Sequence, residues 1–195
     1  MQHLGTQTLN TKRLLLRPFT VEDAPAMYRN WACDPEVTRY LTWPPHTDPA
    51  GTRALLEDWV THYAEPDYYQ WAIVPKELGE PIGSIAVVQR NDTVQSVHIG
   101  YCIGQPWWRQ GYTGEALAEI IRFFFEDVGV NRVDSRHDPR NPNSGRVMAH
   151  CGMTMEGTMR QADRNNQGIC DYTEYGILRE EYFTRRDGQQ PHATH

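Results

Sequence analysis

The sequence predicts an α/β domain of the α+β kind, a mixed and mostly antiparallel sheet flanked by helices, and three observations predict it. Val97, Ile99, Tyr101 and Ile103 alternate with His98, Gly100 and Cys102, the period of a strand with one buried face. Leu117, Ile120, Ile121, Phe124, Phe125 and Val128 then recur at helical spacing and make one apolar stripe that stops at Gly129. Between them, Pro106-Trp107-Trp108-Arg109-Gln110-Gly111-Tyr112-Thr113-Gly114-Glu115-Ala116 reads as a loop tightening into a helix start. Such a start leaves about four backbone N–H groups without intrahelical partners and carries roughly half a positive charge, which suits a phosphate. A glycine at a strand-to-helix turn also serves purely steric ends, so this layout leaves both readings open.

The remaining elements follow in order. Residues 1–11 are polar and read as loose chain, and Arg13 to Pro18 is a first strand stopped by its proline. Thr20 or Asp23 caps a helix with Ala24, Met27, Tyr28 and Trp31 on its buried side, broken by Asp34-Pro35. Thr42-Trp43-Pro44-Pro45-His46 is a stiff connection, because each proline fixes its own φ and restricts the residue before it. Trp43 there either covers the core edge or walls a substrate site. Leu55, Leu56, Trp59, Val60 and Tyr63 give a second amphipathic helix over residues 48–63.

Strands at Tyr69 to Val74 and Pro81 to Val88 are joined as a hairpin and lead through Asn91-Asp92 into the strand that precedes the glycine loop. After the main helix come a short strand at Arg132 to Arg136, a loop from Asp138 that opens a helix ending near Cys151, and strands at Met153 to Arg160 and Ile169 to Leu178. The last two are separated by a polar turn over Asp163 to Gly168. Seven strands result, with helical crossovers at the glycine loop and before Met153.

Composition narrows the function. A single domain spanning residues 1–195, with its core at about 12–183 between polar termini, is the expectation for 195 residues of which 39% are hydrophobic. A net charge of −6 with no basic stripe argues against nucleic acid and mildly favours a cationic substrate. Cys33, Cys102, Cys151 and Cys170 form no C-x-x-C pair and read as reduced, buried thiols. The histidines, two of them (His192 and His195) in a polar tail, show no metal-ligand spacing. Without an apolar leader or a run of roughly 20 apolar residues, no membrane association is expected and the location is cytoplasmic. The glycine loop is no P-loop, since no Gly-Lys-Ser/Thr follows, and no Rossmann G-x-G-x-x-G is present, Asp134 opening no ribose site.

Six pieces in order resemble the GNAT superfamily of N-acetyltransferases, and within it the branch of ribosomal-protein N-terminal acetyltransferases (RimJ/RimL-like). They are Leu14-Leu15-Leu16-Arg17-Pro18, Asp34-Pro35-Glu36-Val37 with Trp43-Pro44, Ile99-Gly100-Tyr101, Gly111-Tyr112 with Glu115-Ala116, Asn141-Pro142-Asn143-Ser144, and Tyr175-Gly176-Ile177-Leu178-Arg179. The resemblance implies a single GNAT domain whose sheet splays at the strand before the loop. It implies acetyl-CoA as co-substrate, with Gln110, Gly111, Tyr112, Thr113 and Gly114 presenting N–H groups to the pyrophosphate, and Cys102 and Ile103 beside the pantetheine arm. Thr113 departs from the small residue usual at its position, and Gly114 next door restores backbone room.

Acetyl transfer to an amine needs an unprotonated nucleophile, stabilisation of an oxyanion and a proton for the leaving thiolate. By the resemblance, main-chain N–H groups near Ile103 serve the oxyanion, Asn141 holds the cofactor or an ordered water, and Ser144 protonates the thiolate. Ser144 and Asn141 read equally as helix caps. Asp163 is the favoured base, with a turn aspartate as the alternative. His98 is its rival, alternatively a solvent-facing strand histidine. Tyr172 and Glu174 lie near the predicted site with no stronger claim.

An α-amine of pKa ~8 is about 10% neutral at pH 7 against roughly 0.04% for a lysine amine, a handicap of about 3 kcal/mol for lysine. The expected acceptor is therefore a protein N-terminal α-amine. The alternatives are a small amine (polyamine, aminoglycoside or toxin) and a CoA-binding module without turnover. A monomer or a homodimer is compatible with the sequence.

Overall fold

The computed structural model of the protein describes residues 1–188. The polar tail with His192 and His195 lies outside the described residues. In chain order the elements are β1 (Leu9–Asn10), β2 (Leu14–Arg17), α1 (Ala24–Met27, continued by a π-helical turn over Tyr28–Ala32), α2 (Pro35–Thr38), α3 (Pro49–His62), β3 (Gln70–Pro75), β4 (Gly83–Asn91) and β5 (Ser96–Ile103). There follow α4 (Tyr112–Arg122, continued by a π-helical turn over Phe123–Val128), β6 (Arg132–His137), α5 (Pro142–His150), β7 (Thr154–Asn165), β8 (Gly168–Leu178) and α6 (Arg179–Gly188).

The described residues form one eight-stranded sheet in the order β1-β2-β3-β4-β5-β6-β8-β7. Every neighbouring pair is antiparallel except β5–β6. Strand alternation divides the core. Leu14, Leu16, Ile73, Ile85, Val97 and Ile99 face α4 and α5, where Leu117, Phe124 and Met148 meet them. The other face carries Ala72 and Val74 under a second cluster built by Phe19, Met27, Trp31 and Leu56. The wider π turn places three consecutive phenylalanines, Phe123, Phe124 and Phe125, all inside, which the 3.6-residue period alone would not do. Gly129 closes that helix at φ +79, its N–H donating to the Phe124 carbonyl at 2.8 Å.

Five sequence expectations need correction, the first being the burial of the cysteines: all four are free thiols, but only Cys170 is buried, and Cys33, Cys102 and Cys151 are partly exposed. The polar N-terminus contains β1, which pairs Leu9 and Asn10 with Leu16 and Leu15 through its backbone. The hairpin after α5 is tighter than its composition implies: β7 runs through Asp163 to Asn165, leaving Asn166 and Gln167 to turn. Tyr28 is only half-buried on α1, and Val60 on α3 is 39% exposed, outside that helix's apolar stripe.

The feature that positions the site lies between β5 and β6. They pair only at Ser96, Val97 and His98 with Arg132, Val133 and Asp134, and then diverge. Beyond His98 the strand keeps β4 on one side and faces a gap on the other.

Candidate active site

One wall of that gap is the start of α4. Gly111 sits at φ +80 as its cap, a left-handed conformation that favours glycine. Among the described residues, the N–H groups of Tyr112, Thr113 and Gly114 donate to no protein acceptor. Arg13 fixes the loop from outside: its Nη1 donates to the Gln110 carbonyl at 2.9 Å and its Nε to Glu115 Oε2 at 2.6 Å. Thr11 Oγ1 and the Arg13 N–H donate to the other Glu115 oxygen. Glu115 is therefore an anchor of the loop.

These N–H groups open on a cleft of about 500 Å³ whose walls include Gly111, Thr113, Gly114, Cys102, Ile103, Asn141 and Ser144. Seven of the nine expected cofactor residues thus share one cavity. Gln110 and Tyr112 are not among its lining residues: the Gln110 amide donates to the Pro106 carbonyl and the Tyr112 hydroxyl to Glu77. Arg39, Arg109 and Arg140 also line the cleft, a cationic rim that their scattered sequence positions conceal.

Behind the cleft lies a second cavity of about 690 Å³. Its helical side is apolar, with Met27, Trp43, Leu55 and Trp59, and its strand side polar, with His98, Arg136, Asp163 and Asp171. The two cavities share Tyr40, Leu41, Tyr101, Cys102, Asn141 and Ser144. Asn141 occupies the N-cap position of α5 without a side-chain cap bond. Ser144 lies within the first turn of that helix, and its Oγ is 3.0 Å from the Tyr101 hydroxyl, which also donates to the Ser144 carbonyl at 3.1 Å. In the sequence Tyr101 is an alternating strand residue within Ile99-Gly100-Tyr101, and only the fold carries its ring to α5.

Backbone alternation aims donors into the gap. The Gly104 N–H donates to the Ile82 carbonyl at 2.9 Å on the β4 side, and the Ile99 carbonyl accepts from Ser135 Oγ at 2.7 Å on the β6 side. The N–H groups of Tyr101 and Ile103 accordingly point away from β4, toward the opening.

Both candidate bases reach the larger cavity. Asp163 Oδ2 is 2.9 Å from Arg136 Nε, and its Oδ1 accepts the Arg164 N–H at 2.8 Å. His98, only 12% exposed in its side chain, is not the solvent-facing residue that one sequence alternative described. Its Nδ1 lies 2.5 Å from Asp134 Oδ1, and Nε2 makes no hydrogen bond among the described residues. Arg132 binds the other Asp134 oxygen at 3.0 Å.

Glu174 approaches His98 Nδ1 to 3.7 Å. Burial, reinforced by the charge of Asp134, outweighs the pull of His98 and Arg136 and pushes its carboxyl up to about 7. A carboxyl raised in this way holds its proton more tightly in the folded state. Its contribution to stability is present below the ordinary carboxylate range and is lost as pH rises toward 7. Glu174→Gln is therefore expected to stabilise the protein by about 3 kcal/mol at pH 8 and by far less at pH 4.5, as thermal unfolding at the two pH values would measure. Equal effects at both would show that Glu174 ionises normally.

Among the described residues no helix is long and apolar enough to cross a membrane. A sequence profile of the acetyltransferase (GNAT) domain matches residues 13–154. An uncharacterised N-acetyltransferase, p20 of Bacillus licheniformis, is 28% identical over 90% of this chain and 98% of its own length. The [ribosomal protein uS5]-alanine N-acetyltransferase of Escherichia coli is 27% identical over 76% of this chain and 79% of its own. A solved RimL structure, a ribosomal L7/L12 α-N-protein acetyltransferase in complex with coenzyme A, superposes with a TM-score of 0.78 at 19% identity, covering 88% of this chain and 98% of that one, a likeness of fold. The splayed sheet, the cleft at the start of α4 and above all the domain match identify the chain as a member of the GNAT acetyltransferase family.

Proposed function

We propose that this protein moves the acetyl group of acetyl-CoA to a primary amine, and that the amine is a protein N-terminal α-amine. The observation that carries the reading is the meeting of the two cavities at Tyr40, Leu41, Tyr101, Cys102, Asn141 and Ser144, because a donor in one and an acceptor in the other come into contact at that junction. The cleft suits the co-substrate: unpaired N–H groups at a helix start, a glycine whose Cβ would meet nothing within 4 Å, and three guanidinium groups for phosphate oxygens. Bound there, acetyl-CoA supplies the thioester carbonyl that the amine attacks.

The chain's own residues supply the rest. The N–H groups of Ile103 and Tyr101 receive the charge that develops on the carbonyl oxygen. His98, its Nδ1–H donated to Asp134, takes the amine proton at Nε2, the tautomer that a carboxylate partner fixes. A strand distance of about 13 Å between His98 and Cys102 calls for water between imidazole and amine. Asp163, both oxygens already engaged, attracts the incoming ammonium. As the N–C bond forms and the C–S bond breaks, the Ser144 hydroxyl, placed by Tyr101, relays a proton from solvent to the thiolate, taking one up as it gives one away.

The test is acetyl-CoA titration by calorimetry followed by thiol release with N-terminal peptides and a panel of small amines. Saturable binding with turnover on peptides is expected. Binding without thiol release from any amine would leave a CoA-binding module and refute the proposal.

A further inference from the structure

The acceptor cavity has a roof, and one residue fastens it. Asn166, at the tip of the β7–β8 hairpin, donates its side-chain amide to the carbonyls of Thr38 at 2.8 Å and Trp43 at 2.7 Å. Its backbone N–H donates to the Leu41 carbonyl at 3.0 Å. More than 120 residues separate the partners in sequence, and both segments line the cavity. Asn165 holds the same tip from below: its buried amide donates to Asp138 Oδ2 at 2.8 Å, in the loop that leads to Asn141. The hairpin tip thus ties the Thr38 to Trp43 segment across the cavity mouth to the base of α5.

What the roof encloses is large and half apolar. Met27, Leu55 and Trp59, with Trp43 of the roof segment, line it and belong to or pack on the second core cluster. A cavity of 150 Å³ already holds a benzene ring. At about 690 Å³ this one would leave most of those walls uncovered if the acceptor ended in a methyl or hydroxymethyl side chain. The polar strand side orients the ligand, its amine toward His98 and Asp163 and its apolar part toward the tryptophans.

We infer that Asn166 is a latch that sets acceptor specificity, and that the acceptor is an amine carrying a bulky apolar group beside it, such as an N-terminus that begins with a large aliphatic or aromatic residue. This rests on the acetyl-transfer reading above. Each methylene that reaches an apolar pocket is worth about tenfold or more in discrimination. Because Asn166 touches only carbonyl groups, it acts by holding the roof closed and is a positioning residue.

The experiment compares peptides that differ only in their first residue, alanine, leucine or phenylalanine, as acceptors for the full chain and for Asn166→Ala and Asn166→Asp. The wild type should prefer phenylalanine or leucine over alanine by at least tenfold in kcat/KM. Both variants should bring that ratio close to one and speed hydrogen exchange at residues 38–43, measured with acetyl-CoA at saturation because Arg39, Tyr40 and Leu41 of that segment also line the CoA cleft. A preference for alanine, or a ratio that Asn166→Ala and Asn166→Asp leave intact, overturns the inference while leaving acetyl transfer standing. Should no peptide turn over, calorimetric titration of the CoA-loaded protein with phenethylamine and ethylamine decides the latch separately. Tighter phenethylamine binding that both variants lose supports it, and equal binding of the two amines overturns it.

Discussion

Gly114→Trp is expected to weaken acetyl-CoA binding by more than 100-fold while leaving the fold intact. A Cβ at residue 114 would meet no atom within 4 Å, and Gly114 lies in the first turn of α4 at the wall of the smaller cavity. An indole there stands in the cleft in front of the free N–H groups. The helix itself gains, since glycine in a helix costs roughly 1 kcal/mol relative to alanine. Gly114→Ala should accordingly bind acetyl-CoA normally and unfold at a slightly higher temperature. Gly111 makes a poorer probe, because at φ +80 any side chain is strained and its Cβ would approach Arg13 Nη2 to 3.3 Å. Calorimetric titration with matched thermal unfolding is the measurement. Wild-type affinity in Gly114→Trp would remove the start of α4 from the phosphate site.

The difference between these two glycines illustrates what the sequence contains. A period of two that gives way to 3.6 across the two glycines places β5, the loop and α4, and it survives translation into structure because it depends on neighbours in the chain. The sequence does not say which glycine is strained and which stands open, since Arg13 arrives from a strand about 100 residues earlier. β1 escapes notice for a related reason: it is made by two backbone pairs and carries no pattern of its own. Asp163 reads as a turn residue by composition, yet β8 draws it into a strand and Arg136 claims its carboxylate.

Distance in sequence also hides how the site is completed. Ser144 and Asn141 are recognisable from a local motif, but the Tyr101 hydroxyl that holds Ser144 comes from 43 residues away. Asn166 looks like any polar turn residue until its three acceptors are known. The cationic rim is invisible for the same reason, Arg39, Arg109 and Arg140 belonging to three different connections. In each case the side-chain type was legible and its partner was not.

His98→Gln is expected to lower kcat by about 10²–10⁴-fold, the usual range for a positioned general base, with acetyl-CoA affinity unchanged. The parallel register sets His98 against Asp134 exactly where β5 and β6 separate, so the pair stands at the root of the gap that opens toward Tyr101 and Cys102. Glutamine keeps much of the size and can still hydrogen-bond Asp134, but it takes no proton near neutral pH. Asp134→Asn should cost less, about 10–100-fold, because the imidazole remains while its tautomer and orientation are no longer fixed. Asp163→Asn should act chiefly on the KM of the amine, since that carboxylate attracts the substrate and is already engaged by Arg136 and the Arg164 N–H. Single-turnover rates and KM values for the three variants separate these roles. If Asp163→Asn lost as much kcat as His98→Gln is expected to lose, and His98→Gln little, the base would be the carboxylate on β7, and the histidine at the fork would be holding two strands together.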